Sequence, residues 1–159
     1  SNGLHMELKE TSRSLTPFLL NRDNIGHKIN LPLSAVGRAY LAFCDKNECA
    51  NILAHLRKSG NLANKIIHDN KKLLKDLREI RRVGYAIREP AFGGGQEPLR
   101  SEFDDGLNAV AVPIQLDKRI LGCISLVWLR KAAPTHDIVG KYLIDLQNAA
   151  REISNKFNK

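Results

Sequence analysis

The side chains able to do chemistry are sparse in this chain, and their spacing brings no reacting set together. The sequence has three cysteines and five histidines. Cys44 and Cys49 lie five positions apart on what reads as helix, which does not stack them on one face, and His55 follows six positions later. A metal centre needs convergent donors, so this is poor metal geometry. His27, His68 and His136 are isolated and read as surface residues. Glu102, Asp104 and Asp105 are acidic neighbours in a loop-like stretch, the ordinary solvated state of carboxylates. Gly93-Gly94-Gly95 lacks the Gly-Lys-Ser/Thr ending of a phosphate-binding loop and reads as a linker. No serine sits in a nucleophile elbow, and no nucleophile, base and orienting group converge. The expectation is a protein that is not an enzyme, with no metal and no cofactor.

Two features point instead to binding. The first is a hairpin late in the chain. With a three-residue loop, Asp117-Lys118-Arg119, Leu116 faces Ile120. The pairing then sets Ala109 opposite Val127, Ala111 opposite Ser125 and Pro113 opposite Cys123. That face carries small side chains, with one hydroxyl and one thiol. The other face pairs Val110 with Leu126 and Val112 with Ile124, all bulky. A small-lined face is where a small molecule can lie; a close-packed helix fills the same gap equally well. A two-residue loop would swap the faces, because a one-residue slip turns every side chain over. Pro113 cannot donate to a ladder, which places its strand at an edge or at a bulge.

The second feature is a helix start. Ser34 stands where an N-cap belongs, ahead of Ala35-Val36-Gly37. The first amides of a helix have no internal partner, and with the helix dipole they favour a carboxylate or phosphate. Ser34, Ala35 and Val36 are small enough for close approach. The plainer reading is that Ser34 only caps its own helix.

The elements that must position these residues follow from periodicity. Residues 6–11 alternate like a strand, 13–24 are ambiguous, and 25–31 read as a second strand. The helix after Ser34 runs to Phe43, with Val36, Tyr40 and Phe43 on one side and Ala35, Ala39 and Ala42 alongside, small enough for very close packing. Asp45 caps a second helix through Arg57, with Ile52, Leu53 and Leu56 inward and Gly60 as its stop. Asp69 opens a third, with Leu73, Leu77 and Ile80 inward, which Gly84 ends. Residues 85–88 begin a strand. Glu89 to Asp105 is too long for a routine connection and reads as a surface loop. Strands over 107–116 and 120–129 follow. Thr135 caps a last helix with an apolar stripe of Val139, Tyr142, Leu143, Leu146, Ala150, Ile153 and Phe157. Strands and helices mixed, with an antiparallel hairpin, make an α+β fold.

Composition sets the outer bounds. The chain has 159 residues, 43% hydrophobic and 26% charged, which suits one globular domain. Three scattered cysteines make no disulfide framework, so a reducing cytoplasm is the natural setting. No apolar stretch approaches the ~20 residues that cross a bilayer, so no membrane partner is expected. The net charge of +8 invites a nucleic-acid reading, but the cations are spread from Arg57 to Lys131 with acids among them, as on a solvated surface. Ser1-Asn2 has the look of a cloning remnant, and the chain reads as a piece of something longer.

The stretch Leu31 to Phe43, LPLSAVGRAYLAF, resembles the segment that opens the core of the IclR-type effector domain. There a Pro-rich strand end runs into a helix carrying Gly-Lys/Arg-Ala-x-Leu-Ala. Three further blocks agree in order and spacing: Ile80 to Tyr85 (IRRVGY), Asn108 to Ile114 (NAVAVPI) and Gly122 to Val127 (GCISLV), with a closing helix that ends NAAREISNKF. The resemblance implies an IclR-type effector-binding domain over residues 4–159, a GAF-like curved antiparallel sheet with helices on both sides. It implies a bacterial activator or repressor whose N-terminal winged helix-turn-helix, absent from this chain, binds operator DNA. It implies a small-molecule effector held between sheet and helix start. Carried over residue by residue, that pocket falls on Ser34, Ala35, Val36, Ala109, Ser125 and Val127, with Ala111 beside them on the small face. A homodimer or homotetramer goes with it.

There are departures from the family pattern. Met6 enters partway through the usual domain, which leaves a sheet edge exposed or covered by a partner chain. The Glu89–Asp105 loop is long, and no acidic pocket residue found in some members can be placed in it. Val127 is apolar where some members are polar, which points to a more hydrophobic ligand. The strand GCISLVW resembles the branch that regulates hydroxyphenylpropionate breakdown, so an aromatic acid is the leading ligand. Arg88, just before the loop, is placed to counter its charge; the alternative is a solvent-exposed arginine. Two other readings stand beside this one: a GAF-like sensor from another signalling protein, and a small basic nucleic-acid binder.

Overall fold

The computed structural model describes residues 5–12, 25–58, 70–94 and 100–157. The expectations for 13–24, Gly60, His68, Asp69 and Gly95 lie outside the described residues. A short hairpin comes first, β1 (His5–Glu7) against β2 (Lys28–Asn30), extended by Leu8 and His27 through a backbone bond of 3.0 Å. Helices α1 (Ala35–Phe43), α2 (Lys46–Lys58) and α3 (Asn70–Val83) follow. The main sheet is antiparallel in the order β3 (Ala86–Ile87), β4 (Leu107–Leu116), β5 (Arg119–Leu129), and α4 (Thr135–Lys156) closes the chain. The mixed helix and antiparallel-sheet architecture is the α+β class that the pattern predicts.

The main sheet is covered on both sides, which is why Ala109, Val110, Ala111 and Val112 are all buried. Ala109 and Ala111 share a core with Ala35, Ala39 and Ala42 of α1, and with the inward residues of α2 and α3. Small residues on both sides let helix and sheet approach closely. Val110 and Val112 face the other way, into a cluster with Leu146 and Ala150 of α4. Bulky sheet residues there match a larger separation. The buried stripe of α4 is narrower than its apolar residues suggest. Tyr142 and Phe157 stay exposed, while Ser154 is buried with its hydroxyl on the Gln115 carbonyl. Pro134, not Thr135, is the N-cap of α4, and Thr135 instead accepts a bond from Asn108 Nδ2 at 2.9 Å.

The hairpin corrects the expected loop and keeps the expected register. Its turn is two residues, Asp117-Lys118, so Leu116 pairs with Arg119, not Ile120. Asp117 has φ 55, the left-handed conformation that such turns use. A one-residue slip does not follow, because Ile114 pairs with Gly122 and Gln115 with Ile120, leaving Leu121 as an extra bulged residue. The bulge restores Pro113 opposite Cys123, Ala111 opposite Ser125 and Ala109 opposite Val127. Pro113 is tolerated in the middle strand for a local reason. The Ala109 carbonyl accepts from the Arg88 amide, so alternate residues of β4 turn their backbone groups towards β3. Pro113 lies past the last β3 pair, Ala86 with Ala111, and its missing N–H removes no ladder bond.

Candidate functional site

The register gathers most of the expected binding residues into two rows across one face. One row is Ala86–Ala111–Ser125, and the next is Arg88–Ala109–Val127. Ala86, which the sequence did not single out, completes the first row and is 1% exposed. The rows open progressively from β3 to β5. Ala111 is fully covered and Ala109 nearly so, Ser125 is half-buried, and Val127 is 42% exposed. The close-packed helix therefore fills the gap over β4, and the small face opens at β5.

The start of α1 sits over the same face, since Ala35 shares the core of Ala109 and Ala111. The Glu89 amide donates to the Leu33 carbonyl at 2.9 Å, which ties the segment after β3 to the turn before α1. Ser34 is buried and caps its own helix. Its Oγ accepts from the Gly37 amide at 3.0 Å and donates to the Asn30 carbonyl. Its hydroxyl is thus committed, and what the helix start offers a ligand is backbone N–H at Ala35 and Val36, which the helix itself leaves without an acceptor. Val36 is half-buried beside them.

Arg88 is not solvent-exposed. Its residue exposure is 7%, and it makes a forked ion pair with Asp105, both N···O distances being 3.0 Å. The guanidinium also donates to the Phe92 carbonyl at 3.1 Å and lies 4.6 Å from the Phe92 ring centroid. Its Nε is buried with no acceptor among the described residues. Asp105 therefore leaves the solvated state expected of it. Its side chain is 7% exposed and also caps the Leu107 amide at 2.9 Å. The described parts of the Glu89–Asp105 stretch fold back on themselves rather than loop outward. Arg100 donates to the Phe92 carbonyl, the Asp105 amide donates to the Gly93 carbonyl at 2.9 Å, and Arg130 holds Asp104 at 2.6 Å. The sequence hid this partnership because Arg88 and Asp105 are seventeen positions apart with no periodic element between them.

A second buried arginine fixes α1 itself. Arg38 is 7% exposed and bridges Glu89 at 2.9 Å and Asp76 of α3 at 3.4 Å. The two arginines frame the segment that enters and leaves the face. Among the described residues no group of His, Cys, Asp and Glu is arranged to hold a metal ion, and no helix is long and apolar enough to cross a membrane.

The Bacterial transcriptional regulator IclR C-terminal family matches residues 13–155. The fold is also shared with solved regulators. The Thermotoga maritima IclR is 24% identical, with a TM-score of 0.66, over 94% of this chain and 54% of its own. An IclR-family regulator from Brucella abortus is 24% identical, with a TM-score of 0.62, over 86% of this chain and 48% of its own. The inducer-binding domain of the Acinetobacter transcription factor PobR, as a double mutant in complex with 3-hydroxybenzoic acid, is 19% identical, with a TM-score of 0.64, over 89% and 76%. This chain spans about half the length of the first two proteins. It belongs to the IclR C-terminal family of bacterial transcriptional regulators, an effector-binding domain and not an enzyme.

Proposed function

We propose that this domain senses a small aromatic carboxylate for a cytoplasmic transcriptional regulator. The carboxylate meets the Ala35 and Val36 amides at the capped start of α1, beside Ser34. The apolar body lies over Ser125 and Val127, where the face opens beside Ala109 and Ala111, and Arg88 of the same face contributes N–H donors. The observation that carries this reading is the pair of small-residue rows that opens at Ser125 and Val127 next to a helix N-terminus. Asp105 neutralises Arg88, so Arg88 acts on a carboxylate through its N–H donors and not as a free charge; its Nε has no acceptor among the described residues. An aromatic ligand is supported by the apolar Val127 and by the PobR domain of similar fold, which holds 3-hydroxybenzoic acid. The hydroxyphenylpropionate branch, which the GCISLVW strand resembles, narrows the candidates to phenolic and phenylpropanoid acids.

In the full-length regulator, an N-terminal winged helix-turn-helix binds operator DNA. Effector binding shifts how two or four copies are arranged, and so how the DNA-binding heads are spaced. A ligand moves such a balance only by binding the two arrangements unequally. A thermal-shift screen against aliphatic and aromatic carboxylates tests the sensing step. An effector at a hundred times its Kd adds ~2.7 kcal/mol, which raises Tm by roughly 5–10 °C in a domain of this size. The expected pattern is a rise with aromatic acids and none with their amides. Equal silence across acids of every class contradicts the reading.

A further inference from the structure

Along the sequence the cations are spread out with acids among them, but the fold sorts the two signs. α3 carries six basic residues and two acidic ones, and both acids are taken. Asp76 turns inward to Arg38 at 3.4 Å, and Glu79 pairs with Arg82 at 2.6 Å. On α2 the one acid, Glu48, accepts from the Tyr40 hydroxyl. Asp45, just ahead of α2, accepts from the Asn47 amide at 2.8 Å. Lys46, Arg78 and Arg81 are left with no ion pair among the described residues.

Those three cations stand around one end of a groove of about 340 Å³ between α2 and α3. Lys46 opens α2, and Arg78 and Arg81 lie in the last two turns of α3. The Arg81 Nε donates to the Ala42 carbonyl at 2.6 Å, so its guanidinium is fixed at the rim without a carboxylate partner. Arg57 lines the groove further along α2 and is already engaged. The floor is hydrocarbon: Leu41 from the last turn of α1, Leu53 from α2 and Leu77 from α3, all buried. Leu74 borders it at 42% exposed, and every other exposed residue described on α3 is charged.

A single exposed leucine needs no explanation, but one continuous with buried leucines under a cationic rim marks a binding surface. The volume suits a small ligand, and is short for a helix that seats several turns. The leucine floor offers a ligand no hydrogen bond, so its body must be hydrocarbon. The unpaired cations require an anionic head, and the planar Arg81 fork matches a carboxylate. We propose that this groove is a second ligand site, for an amphipathic anion of the fatty-carboxylate type, with its chain over Leu53, Leu74 and Leu77 and its head among Lys46, Arg78 and Arg81. The site lies at the opposite end of α1 from Ser34 and does not depend on the effector reading.

The test is titration calorimetry of the folded domain with hexanoate, octanoate, decanoate and octanol. Each methylene taken fully from water is worth about 4-fold in affinity. Decanoate should therefore bind at least ~10-fold more tightly than hexanoate, and octanoate more tightly than octanol. Leu74→Trp fills the groove from an exposed position and should cost decanoate at least ~10-fold. Arg81→Gln should weaken octanoate while leaving octanol unchanged, a split that mere loss of folding does not produce. Ser125→Trp, on the effector face, should bind decanoate like wild type. A flat chain-length series, octanol equal to octanoate, or decanoate lost in Ser125→Trp but kept in Leu74→Trp would each overturn the proposal. So would a groove that ignores decanoate and takes an acidic amphipathic helical peptide instead, with that binding lost in Leu74→Trp.

Discussion

Asp105→Asn should lower the stability of this domain by about 3–5 kcal/mol, because it leaves the Arg88 guanidinium charged and buried without its counter-ion. At ~2–4 °C per kcal/mol, Tm falls by roughly 10–15 °C, a shift that calorimetry resolves easily. The fork geometry is what makes the loss large. Both Arg88 terminal nitrogens reach Asp105 at 3.0 Å, and both side chains are less than a tenth exposed. Screening by water, which makes surface ion pairs weak, is missing here. A double variant, Arg88→Met with Asp105→Leu, removes both charges and should recover most of the stability. The same double variant should still fail to bind a carboxylate effector, since the Arg88 N–H donors on that side of the face are gone. Recovery of both stability and binding would remove Arg88 from the site. An Asp105→Asn protein as stable as wild type would contradict the buried pair itself.

Gly37→Ala should cost about 3 kcal/mol, although alanine is the better helix former by ~1 kcal/mol. A Cβ on Gly37 would stand 2.1 Å from the Leu31 carbonyl oxygen and 2.5 Å from Leu31 Cα. These are backbone atoms of a fully buried residue, so no side chain can swing aside. The cost belongs at the upper end of overpacking. The strain also pushes α1 away from the turn that carries Ser34, so effector affinity should fall together with Tm. Urea denaturation measures the first effect. A Gly37→Ala midpoint equal to or above wild type would mean that α1 and Leu31 are not in close contact.

Much of this arrangement is legible in the sequence, for identifiable reasons. The α1 boundaries follow from Ser34 and the alanine run, and α3 follows from Leu73, Leu77 and Ile80 with Gly84 at its end, where φ is +84. The two faces of the hairpin follow from alternation alone, because large and small residues segregate along both strands. The turn length does not follow. A bulge at Leu121 compensates for the shorter turn, and nothing in the local residue types distinguishes that pair of changes from a plain three-residue loop.

Partnerships between distant segments are harder still to read. Arg88 with Asp105 and Arg38 with Glu89 and Asp76 each depend on how elements dock, and spacing says little about docking. The role of Gly37 has the same origin, since its neighbour Leu31 approaches from outside the helix. Of the candidate site, the small faces and the helix start are legible. Ala86 is not, because a two-residue strand carries no period.

The most direct test of the central claim is titration calorimetry with the aromatic acid that gives the largest thermal shift, on wild type and on Ser125→Trp. Ser125 is half-buried on an edge strand, where an indole can be accommodated without opening the core, and Ile144→Ser on the exposed side of α4 serves as the control. The account predicts that Ser125→Trp stays folded and loses at least ~10-fold in affinity, equivalent to ~1.4 kcal/mol or more, while Ile144→Ser binds like wild type. Unchanged affinity in a folded Ser125→Trp protein would place the effector somewhere other than this face.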